Sequence, residues 1–385
     1  MSSNNSTSTV LNTDPQAIAA ALERHFRVDS HLTGSRPAVI VTHDSKFHAD
    51  DLFAMAVFVT ANPVVLYSIE IQRSRDPEVI ARGSVVFDVG GKYGVSPDGK
   101  VYLDHHQADF DKKRPNGGVY AAAGLVWLHY GKIVVRSILN RNAVGAAQQF
   151  AAVMKSLDTE EHVADIHQYV DDVLFAALDA YDNGKPVPEG LPHNALLSSD
   201  LSAMLSSFNI PWYAGDRQTQ ALHNFVAVVT HFAYPMLVST ITARISVLAA
   251  RGFVSQEIEK QEGSKILVLE EGLPWGETLL DHPKGAGFLF VVYPGEDGTW
   301  YVQAINSKED KFSKRKPLPA PWGGLRCKEE APEALVSLPE LTGVPDAVFC
   351  HKGLFLAGAR SKEGVLRLAQ MAVEYQEETV PGNKE

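Results

Sequence analysis

The sequence predicts an α/β fold: a mostly parallel sheet with helices on both faces in the N-terminal part, a helical connector, and a smaller α+β domain towards the C-terminus. Three observations carry this. Between residues 38 and 130, short continuous apolar runs alternate with helical stretches, the pattern of strands buried on both faces and joined by crossover helices. Residues 160–181 repeat apolar side chains at i, i+3, i+4 and i+7, which marks an amphipathic helix. Beyond residue 260 the pattern changes to strand-like runs separated by turns.

The elements follow in order. Residues 1–14 are rich in Ser, Asn and Thr and read as a disordered tail. Asp14–His25 reads as a short helix and Ser30–Pro37 as a linker. Ala38–Thr42 (AVIVT) is the first strand, and Leu52–Thr60 (LFAMAVFVT) is a very apolar helix. Val64–Gln72, Ser84–Val89 and Lys100–Leu103 read as three further strands, and Gly117–Tyr130 as an Ala-rich helix. The helix over 160–181 aligns Val163, Ile166, Val170, Val173, Leu174, Ala177, Leu178 and Tyr181, and Gly184 ends it. Pro186, Pro188, Gly190 and Pro192 make 184–200 a linker. A helical stretch covers 216–260; Lys265–Leu269, Gly287–Tyr293, Trp300–Ile305 and Ala347–His351 read as strands, and Glu363–Gln376 as a closing helix. The expected organisation is a tail and linker over 1–36, a catalytic domain over 37–205, and a connector with a second domain over 206–377.

Composition excludes several classes. The chain has 385 residues, long enough for about two domains. With 35 Lys and Arg against 46 Asp and Glu, its formal charge is −11, poorly suited to wrapping nucleic acid by electrostatics alone. That balance leaves room for a locally basic groove, or for a site where metal ions supply the positive charge. Cys327 and Cys350 are the only cysteines, too few for a disulfide framework, which fits a reducing compartment. No unbroken apolar run reaches the ~20 residues of a membrane span, and residues 1–14 lack the marks of a signal. The expected location is the cytoplasm, with no membrane partner.

The residues that carry chemistry gather at strand ends. The first strand runs into His43-Asp44-Ser45-Lys46-Phe47-His48-Ala49-Asp50-Asp51. The third ends in Asp88-Val89-Gly90-Gly91, the fourth in Asp104-His105-His106-Gln107, and the long helix in Asp179-Ala180-Tyr181-Asp182-Asn183-Gly184. Ligands of open parallel sheets bind beyond the carboxyl ends of the strands, so one crevice could collect all of these groups. Carboxylates packed so densely repel unless cations neutralise them, and mixed His/Asp ligation suits manganese, zinc or iron better than calcium. The donors exceed the need of one tetrahedral ion; two ions sharing a carboxylate use them economically. Taken singly, each has a structural alternative: His43 a core or capping residue, Asp50 and Asp51 dipole partners of a helix start, Asp88 an Asp-x-Gly turn, Asp179 and Asp182 solvated acids.

Together these motifs resemble the DHH phosphoesterase superfamily and, more closely, the Myg-type exonuclease family. The likeness continues through Leu273-Pro274-Trp275 and Leu318-Pro319-Ala320-Pro321-Trp322-Gly323-Gly324-Leu325-Arg326 and covers most of 37–374. The resemblance implies a DHH-type metal-binding domain and two divalent metals, manganese foremost and magnesium as the alternative. It assigns His43, His48 and Asp50 to the first metal-binding motif and makes Asp88 the bridging carboxylate. It gives His105 and Asp182 to the second metal, with His106 facing the scissile phosphate. Asp104 would orient His105 through a hydrogen bond; Asp51 and Asp179 are weaker candidates. By resemblance the activity is 3′-to-5′ RNA exonuclease, with RNA or a short oligonucleotide as substrate and a homodimer among the options.

One departure stands out. The wider superfamily often carries a histidine in a Gly-rich turn before the last helix, whereas here the turn reads Ala357-Gly358-Ala359-Arg360-Ser361-Lys362-Glu363-Gly364. Arg360 can bind a phosphate but cannot donate a proton as histidine does. Trp322 and Arg326 are further candidate substrate contacts, with domain packing as the alternative. Lys308–Lys316 (KEDKFSKRK) is a basic loop around Phe312 that could track a nucleic-acid backbone or simply be solvated. Two other readings stay open: hydrolysis of a small phosphorylated molecule such as a cyclic dinucleotide or pyrophosphate, and RNA binding with weak catalysis.

Overall fold

The computed structural model describes residues 10–26, 38–61, 69–185, 198–308, 310, 313–333 and 335–376. Residues 64–68 of the expected second strand, 186–197 of the expected linker, and Phe312 lie outside this set. The chain divides into two compact units, Met1–Ile245 and Ser246–Glu385.

The first unit opens with α1 (Pro15–Phe26), whose Ile18, Ala21, Leu22 and Phe26 are buried. Phe26 stacks on Phe58 at 4.4 Å between ring centroids. Next come β1 (Ala38–Thr42), α2 (Ala49–Ala61), β2 (Ile69–Arg73), α3 (Pro77–Arg82), β3 (Val85–Phe87), β4 (Tyr93–Val95) and β5 (Val101–Leu103). The sheet order is β2-β1-β3-β5-β4. β1 pairs in parallel with β2 and β3, and β3 in parallel with β5, so the expected mostly parallel sheet is present. β4 is an antiparallel edge strand on β5 that the sequence did not announce. It is three residues long with Gly94 at its centre, so it offers no alternation to read. Gly94 sits at φ 127°, and a Cβ there would meet the carbonyl of Asn12 at 2.8 Å. Asn12 pairs with Val95, so residues just before α1, read above as tail, belong to the fold.

Every residue of α2 from Ala49 to Thr60 is buried, which explains why this helix shows no amphipathic stripe. It packs along α4 (Ala122–Gly145), longer than the expected 117–130. After α5 (Ala151–Ser156), α6 (Glu160–Val170) starts on Thr159, whose side chain accepts from the His162 N–H. A π-helical turn, Asp171–Phe175, leads into α7 (Ala176–Asp182), and Gly184 follows at φ 60°. α8 (Ser198–Ser206) and α9 (Arg217–Val228) come next; a second π-helical turn, Val229–Ala233, joins α9 to α10 (Tyr234–Lys260).

Residues Arg217–Lys260 thus form 44 residues of continuous helix, with an 18-residue window of mean hydropathy 1.5. By length and composition alone this helix could cross a membrane, although no unbroken apolar run within it is that long. A third of the window is buried within the fold, and Leu237, Ile241 and Ile245, spaced four apart, are among its buried residues.

The second unit holds β6 (Ile266–Val268), α11 (Gly276–Asp281), β7 (Phe290–Pro294), β8 (Trp300–Ala304), α12 (Leu338–Thr342), β9 (Ala347–Cys350), β10 (Leu356–Ala359) and α13 (Lys362–Glu374). The sheet order is β6-β7-β8-β10-β9, with β6 parallel to β7 and the other pairs antiparallel. β10 was not expected; its sequence, Leu-Ala-Gly-Ala, has little strand propensity. Trp322 is 4% exposed and lies in the core of this unit with Phe290, Val292 and Leu368. The expectation of Trp322 as a substrate contact is therefore corrected: the tight turn Ala320–Trp322 folds the indole inward.

A buried cation ties α4 to the helices after it. Arg114 binds Asp171 through two hydrogen bonds of 2.7 and 2.8 Å and Asp179 through one of 2.8 Å. Asp179 also accepts from the N–H of Gly124 at 3.0 Å. A Cβ at Gly124 would sit 1.8 Å from Asp179 Oδ2 and 2.7 Å from the Arg114 guanidinium. Gly124→Ala should therefore destabilise the first unit by about 1–3 kcal/mol, the usual cost of overpacking. A lowered thermal midpoint checks this; an unchanged midpoint would mean that the helix and Asp179 separate at little cost.

Candidate metal centre

The site forms where β1, β3 and β5 end. β1 delivers His43, which is 2% exposed. Ser45, at φ 68°, turns the chain so that His48 and then Asp50 and Asp51 enter the first turn of α2. β3 delivers Asp88 at φ 55°, a left-handed conformation that Asp tolerates better than most residues. β5 delivers Asp104, His105 and His106, and α7 ends on Asp182.

Burial of so many carboxylates requires a partner for each. Asp50 accepts from the Ala122 and Ala123 N–H groups at 3.0 and 2.7 Å, capping the positive end of α4. Asp51 accepts from the His48 N–H at 2.8 Å and lies 3.5 Å from the Arg73 guanidinium. Asp104 accepts from the Gly91 N–H at 2.5 Å and from His106 Nδ1 at 2.7 Å. Asp179 has Arg114. Asp88 alone is left facing only imidazoles. His43 Nε2 is 3.3 Å from its Oδ2, and His105 Nε2 is 3.6 Å from its Oδ1. Asp88 Oδ2, His43 Nε2 and His105 Nε2 are all buried without a hydrogen-bond partner.

Those orphaned atoms fit a metal ion. Three groups of donors have atoms within 4.8 Å of one another: His43, His48 and Asp88; Asp50, Asp88, His105 and Asp182; and Asp88, Asp104, His105 and His106. Asp88 belongs to all three. Nitrogen and carboxylate donors in such sets suit divalent transition metals, and a carboxylate common to adjacent sets is the usual bridge between two ions.

The MYG1_exonuc family model, described as "Uncharacterised protein family (UPF0160)", matches residues 39–373, a span that contains all of these donors. The chain belongs to the MYG1_exonuc family. It is similar to the MYG1 protein of Schizosaccharomyces pombe, at 31% identity over 87% of this chain and 97% of that protein. It is likewise similar to MYG1 exonuclease of Mus musculus, at 30% identity over 90% of this chain and 87% of that protein. Among solved structures, RecJ of Thermus thermophilus in complex with Mn2+ aligns at a TM-score of 0.27 and 12% identity. That alignment covers 96% of this chain and 56% of that one, and a likeness of this size carries no weight for the site.

Electrostatics in this MYG1-family chain follow from the same contacts. Burial pulls the pKa of His43 down, but the carboxylates of Asp88 and Asp51 outweigh it and hold it at about 9. His105, pressed by burial yet facing Asp182 and Asp88, is held at about 11. Asp88 resists burial because those two imidazoles keep its carboxyl well below the usual range. Burial raises Asp51 to about 7 against the pull of His43 and Arg73, and raises Asp50 well above its ordinary value, with Asp182 and Asp88 adding to the effect. Burial and the charge of His43 lower His48. Without a cation, positive charge at the site therefore sits on imidazoles facing Asp88.

The structure brings His43, His48, Asp50, Asp88, Asp104, His105, His106 and Asp182 together. Two details differ from expectation: Asp50 groups with Asp88, His105 and Asp182 rather than with His43 and His48, and the Asp104 carboxylate takes a different ring. Asp104 holds the ring of His106 rather than that of His105, whose Nδ1 lies 3.3 Å from Asn183 Oδ1; only the His105 backbone N–H reaches Asp104. Arg326 and Arg360 lie in the second unit with exposed side chains, Arg326 paired with Glu330 and Arg360 3.8 Å from Glu329. Sequence reasoning missed Arg73, Arg114 and Asn183. Arg114 follows two lysines and looks like part of a surface run. Only Asn183 had a visible signal, sitting beside Asp182 in a quoted motif.

The hydrogen bond that His106 donates to Asp104, helped by the charge of the carboxylate, raises the pKa of His106 against partial burial and the charge of His105. Asp104→Asn keeps an acceptor but removes the anion, so the His106 ring should titrate closer to the ordinary imidazole value of 6.5. An NMR titration of the metal-free protein checks this; an unchanged midpoint would show that Asp104 does not set the charge on His106.

Proposed function

We propose that this chain is a metal-dependent nuclease, a phosphodiesterase with two divalent ions that works as a 3′-to-5′ exonuclease on RNA. The observation that carries the reading is Asp88, the carboxylate common to three convergent donor sets and flanked by imidazole nitrogens without partners. Support for nuclease chemistry comes from family membership and from relatives bearing the name MYG1 exonuclease in Mus musculus and Homo sapiens. The donor set, free of thiolate, favours manganese, with magnesium as the alternative.

His43, His48 and Asp88 would hold one ion, and Asp50, Asp88, His105 and Asp182 the other. Ions bound there supply Lewis acidity and an activated water near neutral pH. The remaining work belongs to the chain. Asp104 holds His106 through Nδ1, on a ring whose side chain is 59% exposed, leaving Nε2 for substrate. With its pKa raised by Asp104, His106 would offer Nε2–H to an oxygen of the phosphate under attack. Asn183 fixes the ring of His105 so that Nε2 faces Asp88 and Asp182. Arg73 and His43 pull the carboxyl of Asp51 down against burial, and Asp51 in turn holds the backbone of His48. Arg360 and Arg326, on the second unit, are proposed to bind nucleic-acid phosphate through their guanidinium forks.

Incubation with end-labelled RNA and manganese tests the reading. Single nucleotides should leave from the 3′ end. Asp88→Asn should lose both metal and turnover, because an amide is a poor bridge. His106→Ala should keep its metal and lose about a hundredfold or more in rate, the usual share of a general acid. Release from the 5′ end would overturn the direction, and turnover of small phosphoesters alone would overturn the substrate. Full activity in Asp88→Asn would overturn the two-metal reading.

A further inference from the structure

The first unit holds a cavity of about 340 Å3, lined by Asp44, Ser45, Lys46, Arg73, Asn209 and Arg217 among others. A chain of contacts links it to the metal donors: Arg73 of its wall lies 3.5 Å from Asp51 Oδ2, which is 3.3 Å from His43 Nε2. The cavity is cationic in a chain of net charge −11. Lys46 and Arg217 are exposed, and neither has an ion-pair partner among the described residues. The one acid on the wall, Asp44, is already paired with Arg75.

Arg73 is the unusual member. Its side chain is 5% exposed. It is held from one side by Asp51 and by the carbonyl of Ser45 at 3.1 Å, and it lies over the rings of Phe47 and Phe225 at 5.5 and 5.1 Å. Its Nε is nevertheless buried without a hydrogen-bond partner. Arg73 lines the cavity together with Lys46 and Arg217, and three cations on one wall call for an anionic ligand.

The segment that walls this cavity also displays two bare aromatics. Trp212 and Tyr213, two and three residues after Ile210 of the wall, are 82% and 75% exposed, with ring centroids 5.8 Å apart and planes at 86°. The segment is fixed rather than loose. Asn209 accepts from the Phe47 N–H at 2.8 Å and donates to the Phe47 carbonyl at 2.9 Å, clamping it to the loop that carries His43 and His48. A turn from Pro211 to Ala214 and the Asp216 cap of α9 hold its other end. Exposed aromatics on a fixed loop beside a cationic cavity match the recognition of single strands, where phosphates meet positive charge and bases stack on rings. An apolar protein partner would leave the three cations of the cavity wall unexplained.

We propose that this cavity and the Trp212–Tyr213 pair form a subsite for single-stranded nucleic acid, which takes a backbone phosphate against Lys46, Arg73 and Arg217 and stacks a base on the aromatics. The inference rests on the nuclease reading and deepens it: the substrate is single-stranded, and it is held on the first unit next to the reacting phosphate. Arg73 then has two tasks, neutralising Asp51 inward and binding substrate outward.

The test uses the full-length protein stripped of metal with chelator, so that nothing is cleaved. Binding of fluorescein-labelled 12-residue single-stranded RNA, single-stranded DNA and blunt duplex is followed by anisotropy across a salt series. Wild-type protein should bind the single strands and bind the duplex at least tenfold more weakly. Trp212→Ala with Tyr213→Ala should weaken single-strand binding about five- to a hundredfold. Lys46→Ala with Arg217→Ala should flatten the slope of log affinity against log salt by up to about 1.4, at ~0.7 for each single-strand phosphate that is no longer neutralised. These four residues are exposed, and circular dichroism with thermal melting confirms that the variants fold. Variants that bind like wild type while wild type degrades RNA would overturn the subsite and leave the nuclease reading standing. Equal binding of duplex would overturn the stacking role. Wild-type protein that neither binds nor cleaves any oligonucleotide would overturn both. A changed oligomeric state in the aromatic variant, with oligonucleotide binding intact, would assign the surface to a second copy of the chain and overturn the proposal.

Discussion

Six aspartates are buried among the described residues of the first unit, Asp50, Asp51, Asp88, Asp104, Asp171 and Asp179, and the arrangement of that unit follows from the need to neutralise each of them. An uncompensated buried charge costs several kcal/mol, so the fold commits a partner to all of these carboxylates but one. α4 turns its N-terminus to Asp50, Arg73 lies beside Asp51, His106 donates to Asp104, and Arg114 joins Asp171 and Asp179. Asp88 is the remainder. Its neighbours are imidazoles whose Nε2 atoms have no hydrogen-bond partner; without a cation they carry the positive charge themselves, and a bound metal ion would take over that role.

That division of labour explains features that otherwise look unrelated. Gly124 is glycine because Asp179 reaches the first turn of α4 past it. The π-helical turn Asp171–Phe175 contains Asp171 and stands directly before α7, which carries Asp179 and Asp182. Widened turns of this kind recur at functional sites. Here one arginine reaches both Asp171 and Asp179, while Asp182 stays partly exposed near His105. The same arginine lies 4.1 Å from the centre of the Tyr120 ring, which covers it.

Much of the site was legible because its donors sit in short contiguous motifs at strand ends, and strand ends of a parallel sheet converge wherever the apolar runs are read correctly. His43, Asp88 and the Asp104-His105-His106 run needed only that geometry. What stayed hidden depends on contacts between distant residues. Arg73 closes β2 and Arg114 follows two lysines, and nothing local distinguishes either from a solvated cation. The partner of each histidine ring is equally invisible: Asp104 is adjacent to His105 in sequence, yet the turn after β5 offers its carboxylate to the ring of His106. β4 and β10 were missed because glycine interrupts both, and Trp322 was misjudged because its Pro/Gly surroundings suggested a surface loop although the indole packs inward.

The central claim is that Asp88 is shared by two divalent ions. Metal-free protein titrated with manganese, with bound ions counted by equilibrium dialysis and their spectrum recorded by electron paramagnetic resonance, tests it most directly. Ions about 3.5–4 Å apart across a shared carboxylate are magnetically coupled. The expected result is two ions per chain with the multiline signal of a coupled pair. A single ion per chain, or two that retain the six-line spectrum of isolated manganese, would contradict the account.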